Sequence, residues 1–327
     1  MDFRASLIGE NTQMDWLTDQ FAASQQWVFE TLVQPMVYAA GLGGWAEDAF
    51  DATGWLLVGL IQIAALVAVI GPLQRWRPAE PVTDRRAIRT DMLYTLIHRL
   101  GFFRLAMFFL AQPFFDEGVG FLRSQGWGTL HLDELVPGVT DVPWVAFAIY
   151  LVVLDFVEYL IHRGQHRFEW WWKLHALHHS QRQMTMWSDN RNHLLDSILH
   201  DAIVVIVAQL IGVAPGQFIA LVALMQLSES LQHANLRLSF GRIGERLWIS
   251  PRFHRTHHRI GAANGSNYGV LLPWWDMLLR TGDFTPRYEP TGVRDQVEPD
   301  ANGHVRDYGR GFWAQQWLGI RRIAGRG

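Results

Sequence analysis

Three short histidine boxes stand out because their spacing suits metal binding. Eleven of the fourteen histidines fall between residues 162 and 258. HRGQH carries an HxxxH pair, while HALHH and HRTHH each carry HxxHH. The boxed histidines are His162, His166, His175, His178, His179, His254, His257 and His258. Positions i, i+3 and i+4 share one face of a helix, so each box would present two or three imidazoles to the same point.

The donor set narrows the choice of metal. The chain has no cysteine, which excludes disulfide scaffolds, thiolate zinc sites, cysteine-ligated iron–sulfur clusters and thiolate haem. Neutral imidazole suits iron, zinc, copper or nickel. Eight boxed ligands exceed what one ion can use, so we expect two ions at one site.

Long apolar segments predict an integral membrane protein. Residues 54–71 contain Gln62 as their only strongly polar member, and at about 1.5 Å per residue they cover roughly the thickness of a hydrocarbon core. Residues 93–115 and 144–161 are predicted as the second and third spans. Residues 194–214 and 217–233, separated by Pro215-Gly216, predict a helical hairpin that enters the membrane and returns. The predicted fold is therefore an all-α membrane bundle of about four to five spans, with a cytoplasmic helical cap that carries the boxes.

These elements would bring the candidate ligands together. HRGQH continues the third span directly, and Ser250-Pro251 is a typical N-cap and first position for a helix that carries the last box. A hairpin that returns to its starting side would place His193 and His233 beside the boxes. His98, His131 and His304 stand alone, and His200 lies inside the hairpin, so we do not expect them to be ligands.

Loop charge orients the predicted bundle. Five arginines lie between the first two spans, whereas the loop from about 116 to 142 is acidic. The positive-inside rule then puts the boxes on the cytoplasmic side of the membrane. We expect residues 1–53 to form an interfacial or amphipathic region, 54–281 the membrane-embedded catalytic domain, and 282–327 a cytoplasmic tail. The net charge of −3, without a basic tract, argues against a nucleic-acid partner.

The chain resembles the fatty acid hydroxylase superfamily, also called the sterol desaturase family, from about residue 155 to residue 276. The resemblance rests on the order of DFVEYLIHRGQH, WKLHALHHS, RNHLLD, HANLRLSFG, SPRFHRTHH and NYGVLLPWWD. It implies two iron ions, O2 activation, and hydroxylation or desaturation of a C–H bond in a membrane lipid. It also implies that the boxed histidines are metal ligands. His233 in HANL matches the family's isolated ligand, and His193 in RNH matches a further family histidine.

Acidic side chains near these histidines suggest a second layer of contacts. Asp155, Glu158, Asp196 and Glu229 lie within one or two helical turns of predicted ligands, and Asn235 lies beside His233. Each could accept a hydrogen bond that orients an imidazole, or could equally be an ordinary carboxylate near a helix end.

The sequence also points to a partner and a cell type. It has no fused haem domain, no nucleotide-binding GxGxxG and no cysteine for an iron–sulfur centre, so a separate reductase, ferredoxin or cytochrome-type donor is implied. The basic residues Arg163, Arg167, Lys173, Arg182 and Arg191 could dock that donor or bind anionic lipid. The near absence of lysine suggests a GC-rich bacterial genome and hence the inner membrane. The lipid, the choice between hydroxylation and desaturation, and the oligomeric state stay open.

Two other classes of function compete with the oxygenase interpretation. A metal or proton transporter would need ionisable residues at mid-membrane depth in several spans, but here they cluster at the span ends. A dinuclear zinc hydrolase would need a general-base carboxylate inside the box, as in HExxH, and neither HALHH nor HRTHH has one.

Overall fold

The fold was taken from a computed structural model that describes residues 16, 18–103, 117–261, 265–300 and 302–325. Within these ranges the chain forms helices and loops, and its β-pairing is a single bridge between Arg259 and Thr291. The main helices are α1 (18–39), α2 (Gly43–Trp76), α3 (Arg85–Arg99), α4 (Pro143–Arg167), α5 (Glu169–His179), α6 (Leu194–Leu210), α7 (Pro215–His233), α8 (Pro251–His257), α9 (Trp274–Leu278) and α10 (Phe312–Ile323). The predicted all-α class is confirmed.

Among the described residues, α2 and α4 are the helices long and apolar enough to cross a membrane. They contain the spans predicted at 54–71 and 144–161. Only 28% of the most apolar window of α2 and 39% of that of α4 is buried inside the protein. Most side chains of these windows are therefore at least partly exposed, as contact with lipid requires.

Helix α2 begins well before the apolar segment that predicted it. The α-helical part of α2 begins at Ala46, and Glu47 and Asp48 lie in the first turn of that part, where carboxylates interact favourably with the helix dipole. The boundary expected after residue 53 therefore falls inside a continuous helix. Residues 1–15 and 17, which belong to the predicted interfacial region, lie outside the described residues.

The second predicted span, 93–115, differs from the observed helix. Helix α3 begins at Arg85, where Asp84 Oδ1 accepts hydrogen bonds from the backbone N–H groups of Arg86 and Ala87 at 3.1 and 2.9 Å, and it ends at Arg99. Residues 104–116 lie outside the described residues. Arg99 does not extend to a membrane surface, because it is 4% exposed and its guanidinium contacts Asp189 Oδ2 at 2.7 Å.

Helices α6 and α7 form the predicted helical hairpin, and both pack against α4. Pro215 occupies the first turn of α7 instead of merely separating the two helices. One apolar cluster joins the three helices through Ala146, Tyr150, Leu154, Ala208, Leu221 and Met225. Tyr150 also ties α4 to the turn of the hairpin, because its hydroxyl donates to the Gly212 carbonyl at 3.1 Å. Whether the hairpin enters a membrane stays a prediction.

The segment expected as a cytoplasmic tail folds back onto the helices that carry the boxes. Helix α10 contacts α3 and α5. The side chain of Gln316 donates to the Tyr94 hydroxyl at 2.9 Å and accepts from the Leu194 backbone N–H at 2.8 Å. Gly319 lies so close to His193 that an added Cβ would be 2.2 Å from the ring. The described residues of this segment are therefore part of the folded body.

Candidate metal centre

The C-terminal end of α4 supplies the first box. His162 and His166 lie one turn apart, and their ring centroids are 5.2 Å apart. His162 Nδ1 donates to the Tyr268 carbonyl at 2.8 Å. Since a neutral imidazole carries one N–H, this bond leaves a lone pair on His162 Nε2, which is buried and has no hydrogen-bond partner.

Helix α5 supplies the second box directly after α4. Phe168 interrupts the two helices with an extended backbone, and α5 then turns His175, His178 and His179 inwards, all buried. His175 Nδ1 lies 3.0 Å from Asp196 Oδ2, which leaves His175 Nε2 buried and without a partner.

The third box lies on α8, which begins as its sequence predicts. The Ser250 hydroxyl accepts a hydrogen bond from the Phe253 backbone N–H at 3.2 Å, and Pro251 occupies the first turn. The buried Glu245 carboxylate accepts from Ser250 at 2.7 Å and pairs with Arg252 at 3.0 Å. These contacts fix a helix of only seven residues, all of them buried.

The hairpin delivers one more imidazole to the boxes. His233 is the last residue of α7, and its Nδ1 donates to the Glu229 carbonyl in the preceding turn at 2.8 Å. Its Nε2 lies 3.2 Å from His178 Nε2 and 3.1 Å from His254 Nε2. The isolated histidine of HANL is therefore next to the second and third boxes.

Together the histidines form two compact groups, each able to hold a metal ion. In each group one ring nitrogen per residue lies within 4.8 Å of the other three. The first group is His162, His166, His179 and His257; the second is His178, His233, His254 and His258. The groups are adjacent, since the stacked rings of His179 and His258 have centroids 4.3 Å apart.

The donor atoms in these groups fit metal ions better than they fit one another. In the second group, Nε2 atoms face each other at 3.0 to 3.2 Å. Neutral rings have one N–H each, and that of His233 is already used by a carbonyl. Hydrogen bonds among the rings thus cannot satisfy every converging lone pair, whereas a cation at the centre can.

Electrostatics keep the rings in the form that binds metals. Burial, followed by the neighbouring histidines, holds the pKa of His178, His179, His254 and His258 well below the usual imidazole value. Burial lowers the pKa of His257 to about 3. Neutral imidazole is the ligand form, so these positions need no deprotonation at neutral pH before a metal binds.

Two predicted ligands lie outside the four-histidine groups. His175 is beside them, with its ring centroid 5.1 to 5.3 Å from those of His162, His166, His178 and His179. His193 is not brought to either group. It caps α6, where its Nδ1 accepts from the Leu195 N–H at 3.2 Å, and its Nε2 donates to the Gln316 carbonyl at 2.8 Å.

Of the five predicted orienting residues, Asp196 contacts a boxed histidine through its side chain. It accepts from His175 and also from Gln165 and Trp171, at 2.8 and 2.7 Å. Within the described residues, the side chains of the other four make no hydrogen bond to a predicted ligand. Asp155 accepts hydrogen bonds from the Leu271 N–H and the Trp275 indole, and Glu158 pairs with His200. The Asn235 side chain forms hydrogen bonds with the backbone of residues 79 and 80. Glu229 contacts His233 through its backbone carbonyl.

A loop that the histidine spacing did not predict completes the centre. The carbonyls of Ser266 and Tyr268 orient His257 and His162, at 2.7 and 2.8 Å. Asp276 fixes this loop by accepting from the N–H groups of Tyr268 and Gly269, at 2.9 and 2.7 Å. The only sequence signal was Asp276 at the end of NYGVLLPWWD, because any residue can supply a carbonyl.

A cavity of about 180 Å³ opens beside the histidines. Its wall includes His162, His175, His178, His233 and His254. Apolar side chains of α4, α6 and α7 continue that wall, among them Leu154, Val204, Phe218, Leu221 and Met225. The cavity therefore connects the candidate centre to the helices that pack within the bundle.

Comparison with known proteins gives a consistent result. The fatty acid hydroxylase family model matches residues 147–281, which contain both histidine groups. Ornithine lipid hydroxylase OlsE of Rhizobium tropici is 29% identical over 80% of this chain and 78% of its own length. The fatty acid hydroxylase vlmA of Lecanicillium sp is 24% identical over 42% of this chain and 43% of its own. The alkylglycerol monooxygenase of Caenorhabditis elegans is 28% identical over 46% of this chain and 29% of its own length.

No solved structure matches the chain. The first relative is similar over most of both chains, and the other two are similar over less than half of each. The matched family segment contains the two four-histidine groups and the hairpin that delivers His233. The resemblance of this chain to the fatty acid hydroxylase superfamily is therefore confirmed over residues 147–281.

Proposed function

We propose that the protein is a membrane-bound di-iron oxygenase that hydroxylates a C–H bond of a membrane lipid, with desaturation as the alternative outcome. It would use O2 and electrons from a separate donor. The observation that carries the proposal is the pair of four-histidine groups, four members of which line a cavity whose wall continues along apolar helix residues. Iron with O2 supplies an oxidant able to attack an unactivated C–H bond, which protein side chains cannot supply.

The two histidine groups support a proposal for the ligands of each ion. The first group would hold one ion and the second group the other. His175 has a buried Nε2 without a partner and lies beside both groups, so it is a further ligand candidate that Asp196 orients. His193 is no longer proposed as a ligand, because backbone groups occupy both of its ring nitrogens.

The remaining residues hold the ligands still and keep bulk water away. The carbonyls of residues 229, 266 and 268 fix which nitrogen of His233, His257 and His162 is available. All but one of the eight grouped histidines are buried. Such burial strengthens interactions inside the centre and limits side reactions of the oxidant with water.

The substrate class follows from the relatives and the cavity. Two relatives are named for lipids with polar headgroups, an ornithine lipid and an alkylglycerol. An amphiphilic lipid could reach the cavity from the bilayer along α4, α6 and α7. We therefore propose a polar membrane lipid as the substrate, and the bacterial inner membrane, with the centre on its cytoplasmic side, as the location.

Not all five of the basic residues proposed to dock the electron donor are accessible to a partner. Arg191 is 5% exposed and pairs with Asp91 inside the protein, so it cannot contact a partner. Arg163, Arg167 and Arg182 are exposed, and Lys173 pairs with Glu169 at 3.5 Å. We retain the three exposed arginines as the docking candidates.

Isotope labelling tests the proposed reaction. Cells that express the chain under isotopically labelled O2 should accumulate a membrane lipid that contains one labelled oxygen atom. The His257→Ala variant should form none, while His304→Ala, which changes an exposed histidine outside both groups, should form as much as wild type. Equal product from wild type and His257→Ala would reject an oxygenase that depends on this centre.

A further inference from the structure

The wall of the cavity changes from apolar to polar towards the histidines. Leu154 on α4 precedes His162 by about two helical turns, and Leu221 on α7 precedes His233 by about three, so each helix contributes apolar wall roughly 12 to 18 Å from its ligand. Polar side chains lie between this apolar wall and the histidines. Glu158 and Glu229 each precede their helix's ligand by about one turn. The part of the cavity nearest the histidines is therefore polar.

That polar part is acidic. Five carboxylates lie on the wall, those of Glu158, Asp189, Asp196, Asp201 and Glu229. Among the described residues on the wall, Arg99 is the only lysine or arginine. The wall thus carries more negative than positive side chains.

Four of the five carboxylates already have partners. Asp189 pairs with Arg99 at 2.7 Å, and Asp196 accepts from His175. His200 lies between the other two, with Nε2 2.5 Å from Glu158 and Nδ1 3.0 Å from Asp201. Within the part of the chain that the structure describes, the Glu229 carboxylate makes no hydrogen bond or ion pair.

Buried polar atoms on the same wall also lack partners. Apart from histidine ring nitrogens, these are Asp189 Oδ1, Asn190 Nδ2, Gln232 Oε1 and Arg99 Nε, in residues that are 8%, 9%, 1% and 4% exposed. A buried acceptor left unsatisfied costs about 1 to 3 kcal/mol. A hydrocarbon chain cannot satisfy such atoms, whereas a group that donates hydrogen bonds can. Counting the Glu229 carboxylate, three of these five groups are acceptors, and two of the three are carboxylates, so the complementary ligand is a hydrogen-bond donor that carries positive charge.

The volume limits how much of a lipid fits. About 180 Å³ is below the roughly 300 Å³ at which ligand pockets for drug-sized molecules begin. One end of a membrane lipid can therefore enter the polar part, while its chains continue along the apolar wall.

We propose that this cavity binds the ammonium group of an amino lipid, with Glu229 as its counter-ion. The oxygen would then be inserted at or close to the headgroup and not far along an acyl chain. This inference rests on the oxygenase function proposed above. In the balanced reaction, one atom of O2 enters the C–H bond, and the other leaves as water with two electrons from the separate donor and two protons.

Binding to a matched pair of lipids tests the inference without turnover. The probes are dioleoyloxy-aminopropane, which carries one primary ammonium group, and its N-acetylated form, which is neutral. Wild-type protein loaded with iron in detergent should bind the ammonium lipid about tenfold more tightly than the acetylated one, as measured by tryptophan fluorescence. Glu229→Gln should remove this preference by weakening the ammonium lipid alone, and Glu134→Gln, on an exposed loop, should keep it.

The outcomes separate the inference from the function on which it rests. Equal binding of the two lipids by wild type would overturn the headgroup site even if oxygenation occurs. Loss of iron from Glu229→Gln would also overturn it, since the carboxylate would then be balancing the charge of the metal. Tandem mass spectrometry of any oxygenated lipid should place the new oxygen near the headgroup, and a distal acyl position would contradict the inference. Selective binding without oxygenation of any lipid would leave the headgroup site supported and reject the oxygenase.

Discussion

At the scale of single residues, backbone carbonyls decide which ring nitrogens are available. His162, His233 and His257 each donate from Nδ1 to a carbonyl, so each keeps its lone pair on Nε2. Partners of this kind fix the tautomer and raise the basicity of a ligand. The histidine spacing predicted the rings but not these contacts, because a carbonyl leaves no trace in residue type.

Replacing His193 separates a capping role from a metal-binding role. In His193→Ala, the Leu195 N–H loses its acceptor and the Gln316 carbonyl loses its donor. We expect the free energy of unfolding to fall by about 1 to 2 kcal/mol, with metal content unchanged. Thermal unfolding and elemental analysis of the same preparation measure both quantities. A loss of metal as large as that of His178→Ala would restore His193 as a ligand.

At the scale of helices, apolar length and box spacing predicted which segments form helices, but not where each helix ends. The segments 54–71 and 144–161 lie inside α2 and α4, and the hairpin is present. The end of α3 was missed because Arg99 is buried against Asp189, a residue 90 positions away in the sequence. Long-range pairing of this kind cannot be inferred from local hydropathy.

The crossing of α2 and α3 depends on a glycine. A Cβ on Gly59 would lie 1.7 Å from the Arg99 carbonyl oxygen, so Gly59→Ala must push the helices apart. We expect a loss of at least 1 to 3 kcal/mol in the free energy of unfolding. Gly44→Ala is the matched control, since nothing lies within 4 Å of its added Cβ. Comparable unfolding temperatures for the two variants in detergent would contradict the close packing.

At the scale of the whole molecule, the apolar helix α4 and the folded C-terminal segment both pack against α5, which carries the second box. Helix α4 both contributes a candidate span and ends in the first box, so membrane and site share an element. The segment 282–327 was expected to be a cytoplasmic tail, and within its described residues Gln316 contacts the cap of α6. The sequence predicted that the boxes converge, but their division into two groups required the fold, because His178 and His179 are neighbours in sequence and belong to different groups.

The central claim is that each four-histidine group holds one iron ion. Elemental analysis of detergent-purified protein from iron-supplemented cells tests it most directly. We expect about two irons per chain in wild type, and about one in both His178→Ala, from the second group, and His257→Ala, from the first, because each variant removes one of four ligands from a different ion. The exposed control His304→Ala should keep both ions. Two zinc ions regardless of iron supply would contradict the iron assignment, and full metal retention in both ligand variants would contradict the site.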